Sequence, residues 1–368
     1  MFAMKQLFSF IVLLLTTCGA LQCKDLGTRK FLESEGQARQ NQIFLNDESH
    51  SQSAMGEEER TSGEAAAVHR LQKLSCIEGK VVFIVNPISG LGKQKKIKQL
   101  VRKNLDQKLF EYEILYTKRP HHATELSREA VKRGATIVVA VGGDGSVNEV
   151  AQGMIGSQAA LAIVPTGSGN GFALSFNIPK DPAKAIQVIN EMSDQWVDTV
   201  KINDKSYLGV AGVGFDADVS RTFSNSGKRG PASYLLAVLS ELPNYKPQNY
   251  DLVVDGIPLH KKAFLICFAN SNQYGNNAFI APSAKVDDGF LDVIIWKEFP
   301  PHAAPKLVHD LFTKHLDDSK YTETFRCQEV ILKKPHQTLH IDGEPCDFEG
   351  DVYIRVLPSS LKVITPRG

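Results

Sequence analysis

The chain is short of several things, and each shortage removes a class of function. Its 42 lysines and arginines against 41 aspartates and glutamates leave a net charge of +1. There is thus no bulk basic field of the kind that nucleic-acid binders use. It holds 6 cysteines in 368 residues, at 18, 23, 76, 267, 327 and 346, with no Cys-x-x-Cys and no histidines at metal-ligand spacing. Neither a structural zinc nor a disulfide framework is indicated, and reduced, individually buried thiols are expected. The sequence contains neither a Gly-x-x-x-x-Gly-Lys-Ser/Thr P-loop nor a Gly-x-Gly-x-x-Gly dinucleotide fingerprint.

Long apolar runs are scarce as well. "MFAMKQLFSFIVLLLTTCGALQCK" has one early lysine and an apolar stretch from Leu7 to Leu15, shorter than the ~20 residues that span a bilayer comfortably. Residues 1–24 have signal-peptide anatomy, which leaves a cleaved leader, a membrane anchor or a downstream start as readings. Residues 25–74, with "ESEGQARQNQIFLNDESHSQSAMGEEERTSGE", have scarcely any apolar residues for a core and read as a flexible polar tether. The folded part is expected to begin near Ser75.

From there strand and helix signals alternate. "KVVFIVNP", "EYEILYT", "ATIVVAVGG" and "ALAIVPTG" are short apolar runs. Between them "KQKKIKQLVRKNLDQKL" places Ile97, Leu100, Val101 and Leu105 at helical spacing, and "HATELSREAVKRG" and "SVNEVAQGMIG" continue the pattern. Such alternation with short connections predicts a parallel, doubly wound α/β sheet over 75–202. After about Val197 the runs are joined by Gly, Asp, Asn and Pro turns, with two helices, "GPASYLLAVLSELP" and "PHAAPKLVHDLFTKHL". Residues 203–368 are therefore expected to form a second, mainly antiparallel β domain.

Three of the predicted strands end in glycine-rich turns: "NPISGLGK" (86–93), "GGDGSVNEV" (142–150) and "PTGSGNGFA" (165–173). Glycines after a buried strand and before a helix let backbone N–H groups converge on a polyanion at the helix N-terminus. Side chains at Gly142, Gly143 or Gly145 would block that approach. Asp144 is the exception, a carboxylate that either handles a cation or a proton or serves only as a helix N-cap. Three such turns at C-terminal strand ends would share one edge of the sheet, where ligands bind in open α/β folds.

These loops, together with Thr117 before "HHA" and with Asp342-Gly343-Glu344, resemble the lipid kinases of the diacylglycerol kinase catalytic-domain type, a family that includes sphingosine and ceramide kinases. The resemblance covers about residues 78–366. It implies an α/β nucleotide-binding domain, a β-sandwich lipid-binding domain whose last segment can return to the first domain, and the use of ATP and Mg2+. By the same resemblance Asn86, Pro87, Ile88, Ser89, Gly90, Thr117, Gly142, Gly143, Asp144, Gly145, Ser146, Val147, Asn148 and Ser168 contact the nucleotide. A metal ion is implied at "KVDDGF", held by the backbone carbonyls of Lys285 and Phe290 and the carboxylate of Asp288. Asp144 and Glu344 compete for the role of catalytic base, and Glu344 beside the Asp342-Gly343 turn also reads as a plain solvated residue.

The acceptor is left open between diacylglycerol and a sphingoid base. "GSGNGFALSFN" lacks the charge that many bacterial diacylglycerol-type members carry in the third loop, and "GVGFDADVSRTFSNSGKRG" resembles a sphingosine-kinase stretch. That likeness puts Asp218 near the lipid head group. Lys228 and Arg229 read equally as phosphate contacts or a solvated basic loop. The implied partners are a lipid at a membrane surface and, as an option, a second copy in a homodimer, with no nucleic acid. The implied location is the cytoplasm, peripheral to a membrane or anchored there. Two other classes compete: a kinase of a soluble substrate, since NAD kinases and phosphofructokinases share a Gly-Gly-Asp-Gly loop, and a non-catalytic exported lipid-binding protein.

Overall fold

Continuous apolar runs build the first half of the fold. In the computed structural model, β1 (Gly79–Val85), β3 (Ile137–Gly142) and β4 (Ala160–Pro165) are buried along nearly their whole length. This is how strands read when helices cover both faces of a parallel sheet. With β2 (Phe110–Tyr116) they run parallel in the order β2-β1-β3-β4. Reversal of direction beside β1 places the crossovers on opposite faces. Helix α1 (Ile97–Asn104) packs with α5 (Pro182–Ile189), and α2 (His122–Lys132) packs with α3 (Asp144–Gln152). A short helix α4 (Gly171–Ser175) follows the third glycine loop. The structure describes residues 79–89, 96–227, 231–242, 245–334 and 338–367, which belong to the unit Ile77–Gly368. The leader and tether expected over 1–74, and Gly90, Lys228 and Arg229, lie outside the described residues.

The long strand β16 (Val352–Ile364) joins the two halves. Its end runs parallel to β4, with Lys362 beside Ala160 and Val363 beside Leu161. Its beginning runs antiparallel to β13 (Glu329–Leu332), and β5 (Asp194–Ile202) pairs with it on both sides of an irregularity between Leu357 and Leu361. The parallel sheet thus continues without a break through β13 to β8 (Gln248–Val254) and β9 (Ile257–Ala263), with β6 (Lys205–Tyr207) paired on β5.

A second, antiparallel sheet has the order β12 (Thr322–Cys327), β11 (Leu291–Trp296), β10 (Leu265–Ala269), β7 (Val210–Gly214), β14 (Leu339–Ile341) and β15 (Glu344–Cys346). Val200, Ile202, Val330 and Ile354 of the first sheet form one core with Val213, Ile266, Phe268 and Val293 of the second. The expected sandwich is present, one of its layers being an extension of the nucleotide-domain sheet.

Three helices, rather than the two expected, interrupt the β-rich half: α6 (Phe215–Asn225), α7 (Pro231–Glu241) and α8 (Ala304–Thr313). Helix α6 went unread because its signal is the acidic first turn, Asp216 and Asp218, directly after a strand whose Gly214 turns the chain at φ 106°. Among the described residues Cys267, Cys327 and Cys346 are free, as expected. No helix among them is long and apolar enough to cross a membrane.

Candidate functional site

Because β1, β3 and β4 are parallel, Asn86–Ser89 after β1 and the glycine-rich segments after β3 and β4 meet at one edge of the sheet. Asn86 donates from its side-chain amide to Ser146 Oγ at 3.0 Å, and its amide oxygen accepts the Ile88 N–H at 3.1 Å. Ser89 donates to the Asn86 carbonyl at 3.0 Å, and its hydroxyl lies 3.3 Å from that of Thr166 in the third loop. The Thr117 N–H donates to the Val85 carbonyl at 3.0 Å, which brings the end of β2 alongside. Pro87, Ile88 and Ser168 are exposed at this edge, while Val147 is buried beneath it.

The glycines have a nearer reason than a ligand. A Cβ on Gly143 would stand 3.2 Å from the Gly167 Cα, and one on Gly167 only 2.5 Å from the Gly143 Cα. On Gly142 it would meet Ser146 Cβ at 2.3 Å, and on Gly145 it would meet Glu344 Oε1 at 3.0 Å. The second and third loops therefore pack backbone to backbone, and the space at Gly145 admits the Glu344 carboxylate.

Asp144 is the first residue inside α3; the N-cap is Gly143, with no side-chain cap bond, so the N-cap reading of Asp144 does not hold. Its Oδ1 accepts the Phe172 N–H at 3.4 Å. Burial, and next the charge of Asp342, push its carboxyl up to about 6, against the pull of backbone N–H donors. Asp342 and Gly343, at φ 47° and 82°, form the two-residue turn between β14 and β15, the left-handed pair that an Asp-Gly hairpin loop supplies. The Asp342 carboxylate takes N–H donors from Leu208 (3.3 Å), Gly209 (3.0 Å) and Val210 (3.0 Å), and the amide of Asn148 at 2.5 Å. Burial still raises its pKa, although these donors oppose it. Asp144, Asp342 and Glu344 are thus gathered between the glycine loops and the hairpin.

Several contacts of this neighbourhood, though not Asn148 itself, escaped the sequence reading. Asn148 is held by Gln152 at 2.9 Å and ties α3 to the Asp342 turn. Glu149 accepts the N–H groups of His121 (3.1 Å) and Ala123 (3.3 Å), capping the start of α2. Under the hairpin, His340 Nε2 lies 2.9 Å from Asp216 Oδ2, to which Tyr274 donates at 2.8 Å. The Gly343 N–H donates to His340 Nδ1 at 3.4 Å, so the ring proton sits on Nε2 toward Asp216. Such long-range pairs leave no local pattern.

Asp218 lies in the first turn of α6, partly buried, and burial followed by the charge of Glu241 raises its pKa. The six residues from Lys285 to Phe290 form the turn before β11. There Asp198 accepts the Gly289 N–H at 2.7 Å, and Asp288 accepts the Phe290 N–H at 3.1 Å. The other Asp288 oxygen is paired with the guanidinium of Arg326. The carboxylate expected to hold a metal ion there is therefore already committed to a protein cation, and the donor set does not fit a bound ion. Among the described residues no three His, Cys, Asp or Glu side chains are placed to hold a metal between them. A magnesium ion arriving with a nucleotide needs only one or two carboxylates besides phosphate oxygens, and Asp144 and its neighbours fit that need.

Comparison with known proteins gives a consistent result. The profile of the diacylglycerol kinase catalytic domain matches residues 80–202, and that of the YegS C-terminal NAD kinase beta sandwich-like domain matches residues 209–365. A "Probable lipid kinase YegS-like" of Chromohalobacter salexigens is 30% identical over 250 residues, covering 66% of this chain and 80% of the relative. A diacylglycerol kinase of Mycobacterium tuberculosis is 28% identical over 298 residues, covering 78% and 96%. The fold is that of a diacylglycerol kinase crystal structure from Bacillus anthracis, at TM-score 0.61 and 22% identity, over 78% of this chain and 97% of that one.

Proposed function

From the premise that the chain belongs to the diacylglycerol kinase catalytic-domain family of lipid kinases, we propose that it transfers the γ-phosphoryl group of ATP to the hydroxyl of a long-chain lipid. The observation that carries this reading is the meeting of the Asn86–Ser89 turn, two glycine loops and a raised carboxylate at one sheet edge. The N-terminus of α3 opens onto the loops, which suits phosphate. Ile88, 77% exposed, offers an apolar surface beside them for a base.

In this reading Asp144 accepts the proton of the lipid hydroxyl, since a carboxyl near 6 is ionised at neutral pH yet basic enough to take it. Burial and then Asp342 keep that carboxyl high, and the Asn148 amide fixes Asp342. Glu344, against Gly145, orients the nucleotide with its metal. Magnesium supplies charge neutralisation at the β- and γ-phosphates when bound. The acceptor enters over α6, where the acidic pair of Asp218 and Glu241 suits a protonated amine, favouring a sphingoid base over diacylglycerol. We place the working enzyme at a membrane surface, where such lipids reside.

The test is incubation of the full chain with labelled ATP, Mg2+ and a panel of diacylglycerol, a sphingoid base and NAD, read by chromatography. Label in a lipid phosphate is expected; label in NAD alone would make the chain a soluble-substrate kinase. A charge-assisted hydrogen bond of about 1.5–3 kcal/mol corresponds to roughly 10–100-fold. Asp218→Ala should lower catalytic efficiency on the sphingoid base by that factor and leave diacylglycerol unchanged. An equal loss on both would remove Asp218 from lipid selection.

A further inference from the structure

The turn that resembles a metal site has been given a cation of its own. Asp292 on β11 stands directly across from Arg326 on β12 in the antiparallel register, so the two side chains share a face of the sheet. Arg326 reaches forward to pair with Asp288 and keeps its Nε 4.0 Å from Asp292 Oδ1. Its guanidinium lies 4.8 Å from the centre of the Phe290 ring, within cation–π range. The side chains of Asp288, Phe290 and Asp292, all in or just after the turn, therefore converge on one positive group. Phe290 N–H and Arg326 between them occupy both oxygens of Asp288.

We propose that Arg326 takes the place of a bound divalent cation here, so that this part of the fold forms without metal. The corner needs positive charge. Asp292 is 2% exposed, its Oδ2 has no hydrogen-bond partner, and Asp317 adds further negative charge nearby. Among the described residues, the ion pairs of both Asp288 and Asp292 are with Arg326. The turn is also held by Asp198, 1% exposed, which accepts the N–H groups of Gly289 and, from β16, Ser359, both at 2.7 Å. A divalent ion held by Asp288 would lie against the guanidinium that already pairs with that carboxylate. The arginine is covalently part of the chain, so the turn it fixes cannot be opened by a chelator. This inference stands apart from the phosphoryl-transfer reading and is tested without activity.

The experiment is thermal unfolding of the full chain, free of nucleotide, in EDTA and in millimolar Mg2+ or Mn2+. It uses the wild type, Asp288→Asn, Arg326→Gln, Arg326→Lys and the double variant Asp288→Asn/Arg326→Gln. The wild type should show no ion-dependent shift beyond any that Asp288→Asn retains, because a shift retained there arises elsewhere. Arg326→Gln should melt a few degrees lower in EDTA and recover with the ion. The double variant should lose that recovery. If Arg326→Gln does not fold, Arg326→Lys keeps a positive charge and should behave as the wild type does. A wild-type Tm that falls on chelation, with the fall absent in Asp288→Asn, would show a metal at this turn and overturn the proposal. Failure of either ion to restore a folded Arg326→Gln would also overturn it, since the guanidinium would then not be doing an ion's work.

Discussion

At the scale of single residues the account turns on Asp144. Its carboxyl titrates near 6 in the folded protein against 3.8 ordinarily. The folded state therefore keeps this proton over a range in which the unfolded chain has released it. Stability contributed by the site falls as pH rises from about 4 to 6 and stays low above that, because the native state binds more protons there. Asn in its place carries no charge and can still accept the Phe172 N–H. Asp144→Asn in the nucleotide-free protein should accordingly melt higher than the wild type at pH 8, with the gain shrinking at pH 5. A Tm difference that does not change between the two pH values would contradict the raised carboxyl. Activity should decline as pH falls through about 6, as Asp144 takes up its proton.

At the scale of elements the critical contact is between two loops. Gly143 and Gly167 touch through their Cα atoms, so a methyl group on Gly167, 2.5 Å from its neighbour, forces the loops apart. Overpacking of this kind costs about 1–3 kcal/mol, and here it also spreads the nucleotide loops. Gly167→Ala should lower Tm and weaken ATP binding measured by calorimetry, whereas Gly156→Ala, with no atom within 4 Å but a φ of 79°, should touch stability alone. Unchanged ATP affinity in Gly167→Ala would separate loop packing from the nucleotide site. The same loops show what a sequence reveals. Periodicity and glycine position located the parallel strands and the three turns, because both are local. The reason for the glycines was not legible, since it depends on Gly167 facing Gly143 across two strands. Nor was Asn148 bonding Asp342, 194 residues away in the chain. Helix α6 was missed for the opposite reason, its short-range signal being hidden behind a run of strands.

At the scale of the whole molecule, β16 carries both halves. Its first residues lie in the sandwich core and its last in the parallel-sheet core, with Val356 and Val363 in the two clusters. Two units that share a central strand should not unfold separately. The chain has 2 tryptophans, and they report on different layers: Trp196 on β5 and Trp296 on β11. Trp196→Phe and Trp296→Phe variants should each show one fluorescence transition, at coincident temperatures once corrected for any stability change read by circular dichroism. Separate midpoints would mean the halves are independent. The junction between the two sheets also matters for function, because Asn148 bonds Asp342 and Gly145 makes room for Glu344, so the hairpin of the second sheet meets the loop with Asp144. The central claim is that this junction moves a phosphoryl group from ATP to a lipid. It is tested most directly by following label from γ-labelled ATP into detergent-dispersed lipid with full-length wild type and Asp144→Asn. The account predicts a labelled lipid phosphate from the wild type, and a turnover lower by ~10²-fold or more in the variant with its fold intact, as for a lost general base. Turnover of Asp144→Asn within a few-fold of wild type, or no labelled lipid from either, would contradict it.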